Sequence, residues 1–282
     1  MLTARLALSI RAARQPLRIR TPVLMASARI AVVTGANRGL GRTVAKRLTE
    51  EGFSVIAVCR RLEDARGAVE DGVAAHSACL DAGKRASETR AAVESCAQQV
   101  LEASGGRPLD LLINNAGVFF DPWTREVFDE AVAVNVASPV FLTRALAPHF
   151  SDAARVVNVS SGYGALDGLA PDYRAALARA ETDDDVLSVA FDATSPMGAL
   201  TKPTYRVAKA TLNRWTRLVA SAADAPFSCA AVCPGWCRTR MGGDEATRSA
   251  ALGAASILAA ALEPDPMRFA GTLSRDGEVI EW

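Results

Sequence analysis

The chain has 282 residues, half of them hydrophobic and 22% charged, with a formal net charge of +1. That length suits one large α/β domain or at most two small ones, able to bury a core without disulfides or metals. A balance this close to neutral excludes nucleic acid as a partner recognised through overall charge.

Residues 1–28 stand apart. They carry Arg5, Arg11, Arg14, Arg18 and Arg20 and no acid, and the first acidic residue of the chain is Glu50. Leu2, Leu6, Leu8 and Ile10 alternate with polar residues. An arginine-rich, acid-free, amphipathic leader is expected to be an organelle transit peptide, for a mitochondrion ahead of a plastid. The alternative is an untargeted, disordered tail with Met25 as the true start and a cytoplasmic protein. No run there is long enough to cross a bilayer.

From residue 29 onward the chain alternates apolar runs with helical segments. Ile30–Gly35 reads as a strand, Gly39–Glu51 as a helix, and "SVIAVCR" as a second strand. Arg61–Asp71 reads as a short helix, "AAHSACLD" as a third strand and Lys84–Ala103 as a long helix. "LDLLINNAG" is a fourth strand whose continuous apolar part implies cover on both faces. Val127–Phe150 is helical with a break near Ser138-Pro139. "ARVVNVSS" is a fifth strand, Thr204–Ala223 a helix and "FSCAAVCPG" a sixth strand. Strand–helix alternation predicts a parallel sheet with right-handed crossovers. An insertion of about residues 167–203 interrupts it, and its acidic run Glu181–Asp185 reads as a solvated helix start. Cys59, Cys79, Cys229 and Cys233 lie in or beside apolar runs, as buried thiols in a reducing compartment do. Cys233 and Cys237 lack a neighbouring His, so no metal site is expected.

"TGANRGLG", Thr34–Gly41, joins the first strand to the first helix. Gly35, Gly39 and Gly41 permit a tight turn in which backbone N–H groups approach a pyrophosphate, with Asn37, Arg38 and Leu40 between them. After the second strand, where a carboxylate would hold an NAD ribose, stand Arg60 and Arg61. Together with Arg38 they favour a 2′-phosphate and hence NADP(H). Asp81, ending the third strand, either accepts from an adenine amine or caps the next helix.

The fifth strand ends in Ser160 and Ser161. Downstream, Tyr205 and Lys209 are four apart on one helix face. A free tyrosine has a pKa of about 10, and an ammonium beside it is expected to lower that value. Such a pair can donate and recover a proton near neutrality, while a serine hydroxyl holds a carbonyl oxygen in line.

These motifs, in this order, resemble the short-chain dehydrogenases/reductases: "TGANRGLG", "NNAG" (Asn114–Gly117), "VNVAS" with Asn135, "NVSS", "YRVAK" and "CPGWCRT" (Cys233–Thr239). The resemblance covers Ile30–Trp282. It implies a single-domain Rossmann fold over residues 29–282, with a doubly wound, mostly parallel sheet of about seven strands, and hydride transfer to or from a nicotinamide. It assigns Ser161 as catalytic serine, Tyr205 as general acid–base, and Lys209 to lowering the Tyr205 pKa and holding the nicotinamide ribose. Asn135 would position a water linking Lys209 to solvent. Asn115, Ala116 and Gly117 would line the cofactor, and Pro234, Gly235 and Thr239 would meet the nicotinamide side.

Within the family the chain is most similar to the monomeric NADPH-dependent carbonyl reductases, through "TGANRG", "CPGW-x-RT", the insertion and the closing "GEVIEW". Ser161 and Tyr205 are 44 residues apart, much further than in most members, and in that subgroup such an insertion covers the surface used elsewhere to pair subunits. A monomer acting on a small carbonyl compound is implied, without nucleic acid or membrane. Ala137-Ser138 replaces a frequent glycine, and Cys237 puts a thiol near the nicotinamide. Tyr163, Trp236, Met241, Met197 and Leu200 are candidates for an apolar pocket. Three readings remain: a carbonyl reductase, an NADP-linked alcohol or hydroxysteroid dehydrogenase, and a catalytically idle NADPH-binding sensor.

Overall fold

The computed structural model describes residues 28–83, 85–120, 123–193, 201–222 and 227–282. All of the leader except Ala28, and the pocket candidates Met197 and Leu200, lie outside the described residues.

The strands are β1 (Ile30–Thr34), β2 (Ser54–Cys59), β3 (His76–Cys79), β4 (Leu109–Asn114), β5 (Phe150–Val159), β6 (Ser228–Val232), β7 (Leu273–Arg275) and β8 (Glu278–Ile280). They form one sheet in the order β3-β2-β1-β4-β5-β6-β7-β8. All neighbours pair in parallel except β7 with β8. The expected parallel sheet of about seven strands is present, with an antiparallel strand added at its edge. The Asp276-Gly277 turn makes that edge hairpin, with φ of 54° and 81°. Positive φ at both central residues gives the twist a two-residue hairpin needs.

Helices α1 (Gly39–Glu50), α2 (Leu62–Glu70) and α9 (Ala250–Ala261) cover one face. Helices α3 (Ala86–Ser104), α4 (Arg125–Val132), α5 (Ser138–Leu146) and α8 (Pro203–Ala220) cover the other. Alternate residues of β1 feed the two cores: Ala31 and Val33 the first, Ile30 and Val32 the second. A strand buried on both faces has no polar side, which is why these strands read as unbroken apolar runs.

Two boundaries differ from expectation. Strand β5 begins at Phe150, four residues before Ala154, because a register shift between Leu109 and Leu111 lets Phe150 pair with Leu109. The helical break precedes Ser138: Ala133–Ala137 form a π turn between α4 and α5. Pro139 has no N–H to give the carbonyl of Asn135, four residues back, so regular α bonding cannot run through this point. The segment Arg125–His149 is apolar enough to span a membrane, but 72% of its most apolar window is buried inside the fold.

The insertion forms α6 (Pro171–Arg179) and α7 (Asp183–Phe191). Thr182 and Asp185 make a capping box at the start of α7, so the acidic run does open a helix. Asp183, however, is more than a solvated acid. It accepts both arms of Arg144 from α5, at 2.5 and 2.9 Å, and the indole N–H of the fully buried Trp215 from α8, at 2.8 Å. Asp183→Ala leaves that indole unpaired in the core. The variant is expected to lose about 1–3 kcal/mol of stability, read as a lower urea midpoint at unchanged slope.

Candidate active site

The strand order reverses between β1 and β4, and the crevice at their carboxyl ends is where open α/β sheets bind ligands. Thr34 closes its floor. Its hydroxyl accepts the backbone N–H groups of Asn115 and Ala116, each at 2.9 Å, and its carbonyl accepts from the Asn115 side chain at 2.8 Å. Gly35 and Gly39 have φ of 68° and 52°, a conformation that favours glycine. A Cβ on Gly41 would lie 2.2 Å from the Gly35 carbonyl oxygen, so only glycine lets α1 start this close to the turn. No side chain caps α1 at Arg38. Its first N–H groups are therefore left for an anion. The loop thus fits a dinucleotide pyrophosphate, with Asn37 and Leu40 in its wall.

At the end of β2, Arg61 is taken by Asp64 and Glu63. Arg38 and Arg60 are exposed, and no ion pair holds either among the described residues. Both reach the same neighbourhood: the Arg61 hydrogen bond holds the Asp64 carboxyl below its usual range, and Arg38 and Arg60 add to the effect. Asp81 is exposed after β3, and the cap of α3 is Arg85. The helix-cap alternative for Asp81 therefore falls.

The two serines point opposite ways. Ser160 is buried, and its hydroxyl donates to Asn213 at 2.5 Å. Ser161 accepts the Tyr163 N–H at 3.1 Å and hydrogen-bonds to Tyr205. Gly164 brings this turn against α8: a Cβ there would lie 2.7 Å from the Lys209 carbonyl carbon and 2.8 Å from its oxygen. Lys209 Nζ donates to the Val159 carbonyl at 2.8 Å and sits 5.7 Å from the centre of the Tyr205 ring. Burial lowers the Lys209 pKa to about 8, against a weaker opposing effect from Cys233.

The expected lowering of the Tyr205 pKa is not what the geometry gives. Burial pushes the phenol above its ordinary value, and the hydrogen bond to Ser161 opposes this only in part. The Lys209 ammonium is directed at Val159 rather than at the phenol oxygen. Asn135 lies in the π turn, and both polar atoms of its side chain bond the backbone of Val118, at 3.0 Å each. Its main-chain carbonyl cannot accept from residue 139, since Pro139 has no N–H.

The model of the short chain dehydrogenase family matches residues 29–176. The chain is 30% identical over 264 residues to short-chain dehydrogenase anuI of Penicillium roqueforti, covering 89% of this chain and 95% of that one. The chain belongs to the short-chain dehydrogenase family. It is also 29% identical over 280 residues to carbonyl reductase [NADPH] 3 of Rattus norvegicus, covering 90% and 98% of the two chains. Among solved structures it is similar to salutaridine reductase from Papaver somniferum, with a TM-score of 0.74 and 26% identity over 87% of this chain and 99% of that one.

The remaining family positions gather at the same crevice. Gly117 lies against Asn135, where a Cβ would come 2.9 Å from its side-chain oxygen. Thr239 sits beside Gly39, joining the loop after β6 to the glycine turn, and Gly235 has φ of 77°. Cys237 turns inward, donating to the Pro234 carbonyl at 3.2 Å. It therefore does not present the thiol expected beside the nicotinamide. Tyr163, Trp236 and Met241 are 40%, 54% and 50% exposed, too open for core packing.

Three functional features escaped sequence reasoning. Phe119 stacks edge-on to Tyr205 with ring centres 4.9 Å apart; its place just after "NNAG" was the available signal. Arg275 donates to the buried Cys233 sulfur at 3.0 Å, joined by the Gly162 N–H at 3.2 Å. A buried ladder runs from Thr143 through Asn114 and Asn158 to Thr216, at 3.2, 2.9 and 2.9 Å. Gly164→Ala must push the serine turn off α8. The expected outcome is a loss of about 1–3 kcal/mol in denaturant unfolding, and an unchanged midpoint would show slack in that contact.

Proposed function

We propose that this chain is an NADPH-dependent carbonyl reductase, converting a ketone, aldehyde or quinone carbonyl to the alcohol with Tyr205 as proton donor. The observation that carries the reading is the Ser161–Tyr205–Lys209 group beside a glycine turn that fits a pyrophosphate. Bound in the crevice, NADPH would supply the hydride. Ser161 and Tyr205 would hold the carbonyl oxygen, and Tyr205 would give up its proton as charge develops there. A phenol kept protonated by burial suits reduction; oxidation needs the phenolate at the outset. Lys209, with a pKa of about 8, carries its charge at neutral pH, holds the nicotinamide ribose and stabilises the phenolate left after transfer. Arg38 and Arg60 would take the 2′-phosphate, and Asp81 would accept from the adenine amine.

The rat relative's name supports the cofactor and the reaction. The insertion supports a monomer. Helices α6 and α7 pack beside α8, and Asp183 of α7 ties down Arg144 of α5, so chain covers a helix surface that pairs subunits in other members. Residues 1–28, rich in arginine and free of acid, support delivery to a mitochondrion or plastid.

The test follows NADPH absorbance with quinones, aromatic aldehydes, diketones and keto-steroids. Tyr205→Phe is expected to bind NADPH unchanged and lose about 10²–10⁴-fold in turnover; full turnover would sink the mechanism. Arg38→Ala with Arg60→Ala is expected to raise the KM for NADPH about tenfold or more and to leave that for NADH nearly unmoved, since each charge-assisted bond to phosphate contributes about 1.5–3 kcal/mol. Equal effects on the two cofactors would remove both arginines from phosphate recognition.

A further inference from the structure

Two aromatic rings frame Tyr205, and each carries a cation on its outer face. Phe119 meets Tyr205 edge-on at 4.9 Å, and Lys202 Nζ lies 4.5 Å from the Phe119 ring centre. Tyr163 meets Tyr205 edge-on at 6.3 Å, and the Arg206 guanidinium lies 4.7 Å from the Tyr163 ring centre. Arg206 uses Nε on the Thr201 carbonyl at 3.0 Å, and among the described residues its terminal nitrogens have no hydrogen-bond acceptor. Neither cation has an ion-pair partner among the described residues. Asp244 and Glu245, in the loop after β6, pair with neither.

The placement is costly if nothing binds there. Lys202 holds φ at 61° without being glycine, a strained conformation of the kind that persists at functional sites. Both cations stand at the positive end of an 18-residue helix, α8, whose first turn contains no acid. Charge of this sign at that end is unfavourable, and no ion pair among the described residues offsets it. Cation–ring contacts hold the two groups in place. Among the described residues no carboxylate neutralises the two charges, which stand one ring out from Tyr205.

We propose that this pair of cations selects carbonyl compounds bearing an anionic group remote from the carbonyl, such as an aromatic aldehyde or ketone with a carboxylate at its far end. Lys202 and Arg206 take the anion while Ser161 and Tyr205 take the carbonyl oxygen. The inference rests on the reductase reading and names the substrate class of that same site.

The test uses the full chain with NADPH and two aldehydes of equal size, 4-formylbenzoate and neutral 4-formylbenzamide. The KM for the carboxylate is expected to be about fivefold or more below that for the amide at low salt, as two partly exposed charge pairs can supply. High salt should narrow the difference. Lys202→Gln with Arg206→Gln should close it by raising the carboxylate KM. Equal KM values in the unaltered enzyme, or a difference that survives the double substitution, would overturn the proposal. Failure to reduce either aldehyde would count against the reductase reading, and the anion site is then read without turnover. Calorimetry of benzoate and benzamide on the NADPH complex should show benzoate tighter and its advantage lost in the double variant; equal binding overturns it.

Discussion

The crevice exists because β1 and β4 are tied together just where the chain stops being sheet. At that point parallel pairing ends and backbone groups lose their partners. The Thr34 hydroxyl takes two of them, the N–H groups of Asn115 and Ala116, and the Asn115 side chain returns a bond to the Thr34 carbonyl. The tie fixes the height of the "NNAG" segment over the glycine turn. It also explains Gly41, whose missing Cβ is needed by both the Gly35 carbonyl and the Asn115 side chain. Loosening it would widen the floor on which a dinucleotide must lie.

The proposed reacting groups are positioned by a second constraint, the close approach of the serine turn to α8. Gly164 allows contact with the Lys209 backbone, Ser160 locks to Asn213, and Lys209 reaches back to the Val159 carbonyl. Strand end and helix thus hold each other through backbone and buried side chains rather than through Ser161 or Tyr205. Those two are left with free valence for a ligand. The buried ladder from Thr143 through Asn114 and Asn158 to Thr216 extends this to β4, β5, α5 and α8. A buried polar network fully paired in this way favours one arrangement of its elements.

The fold was legible where cover on both faces made the strands continuously apolar. It was less legible at the edge and in the helices. Helix α9 is hard to read from sequence because its alanine-rich stretch has a weak amphipathic pattern, although Ser249 caps it. The β7–β8 hairpin is short, yet its Asp-Gly pair was a usable turn signal. The break before α5 could be read from Pro139 but not its π form. At the site, ordered motifs gave the residues, while directions had to come from packing. Ser160 and Ser161 are adjacent in sequence and opposite in orientation. The serine nearer the helix backbone is buried structure, and its neighbour faces the tyrosine. The sign of the Tyr205 shift also lay beyond reach, because spacing places Lys209 one turn away and cannot reveal that burial of the phenol is the larger effect.

That sign bears on direction. A tyrosine with a lowered pKa would serve either half-reaction, releasing or accepting a proton with similar ease. Burial instead disfavours the phenolate, and Ser161 offsets this only in part. The same burial brings Lys209 down to about 8, so its charge is retained at neutral pH with little margin. Near neutrality the resting pair is therefore phenol plus ammonium. In the proposed reduction that state would give a proton to a developing alkoxide, and the resulting phenolate would lie near a cation in a site of low polarity, where the attraction is stronger than in water. Under the same proposal, oxidation would first have to remove the phenol proton against burial. The raised pKa comes first from burial of the phenol, with Cys233 and Tyr163 adding smaller effects in the same direction.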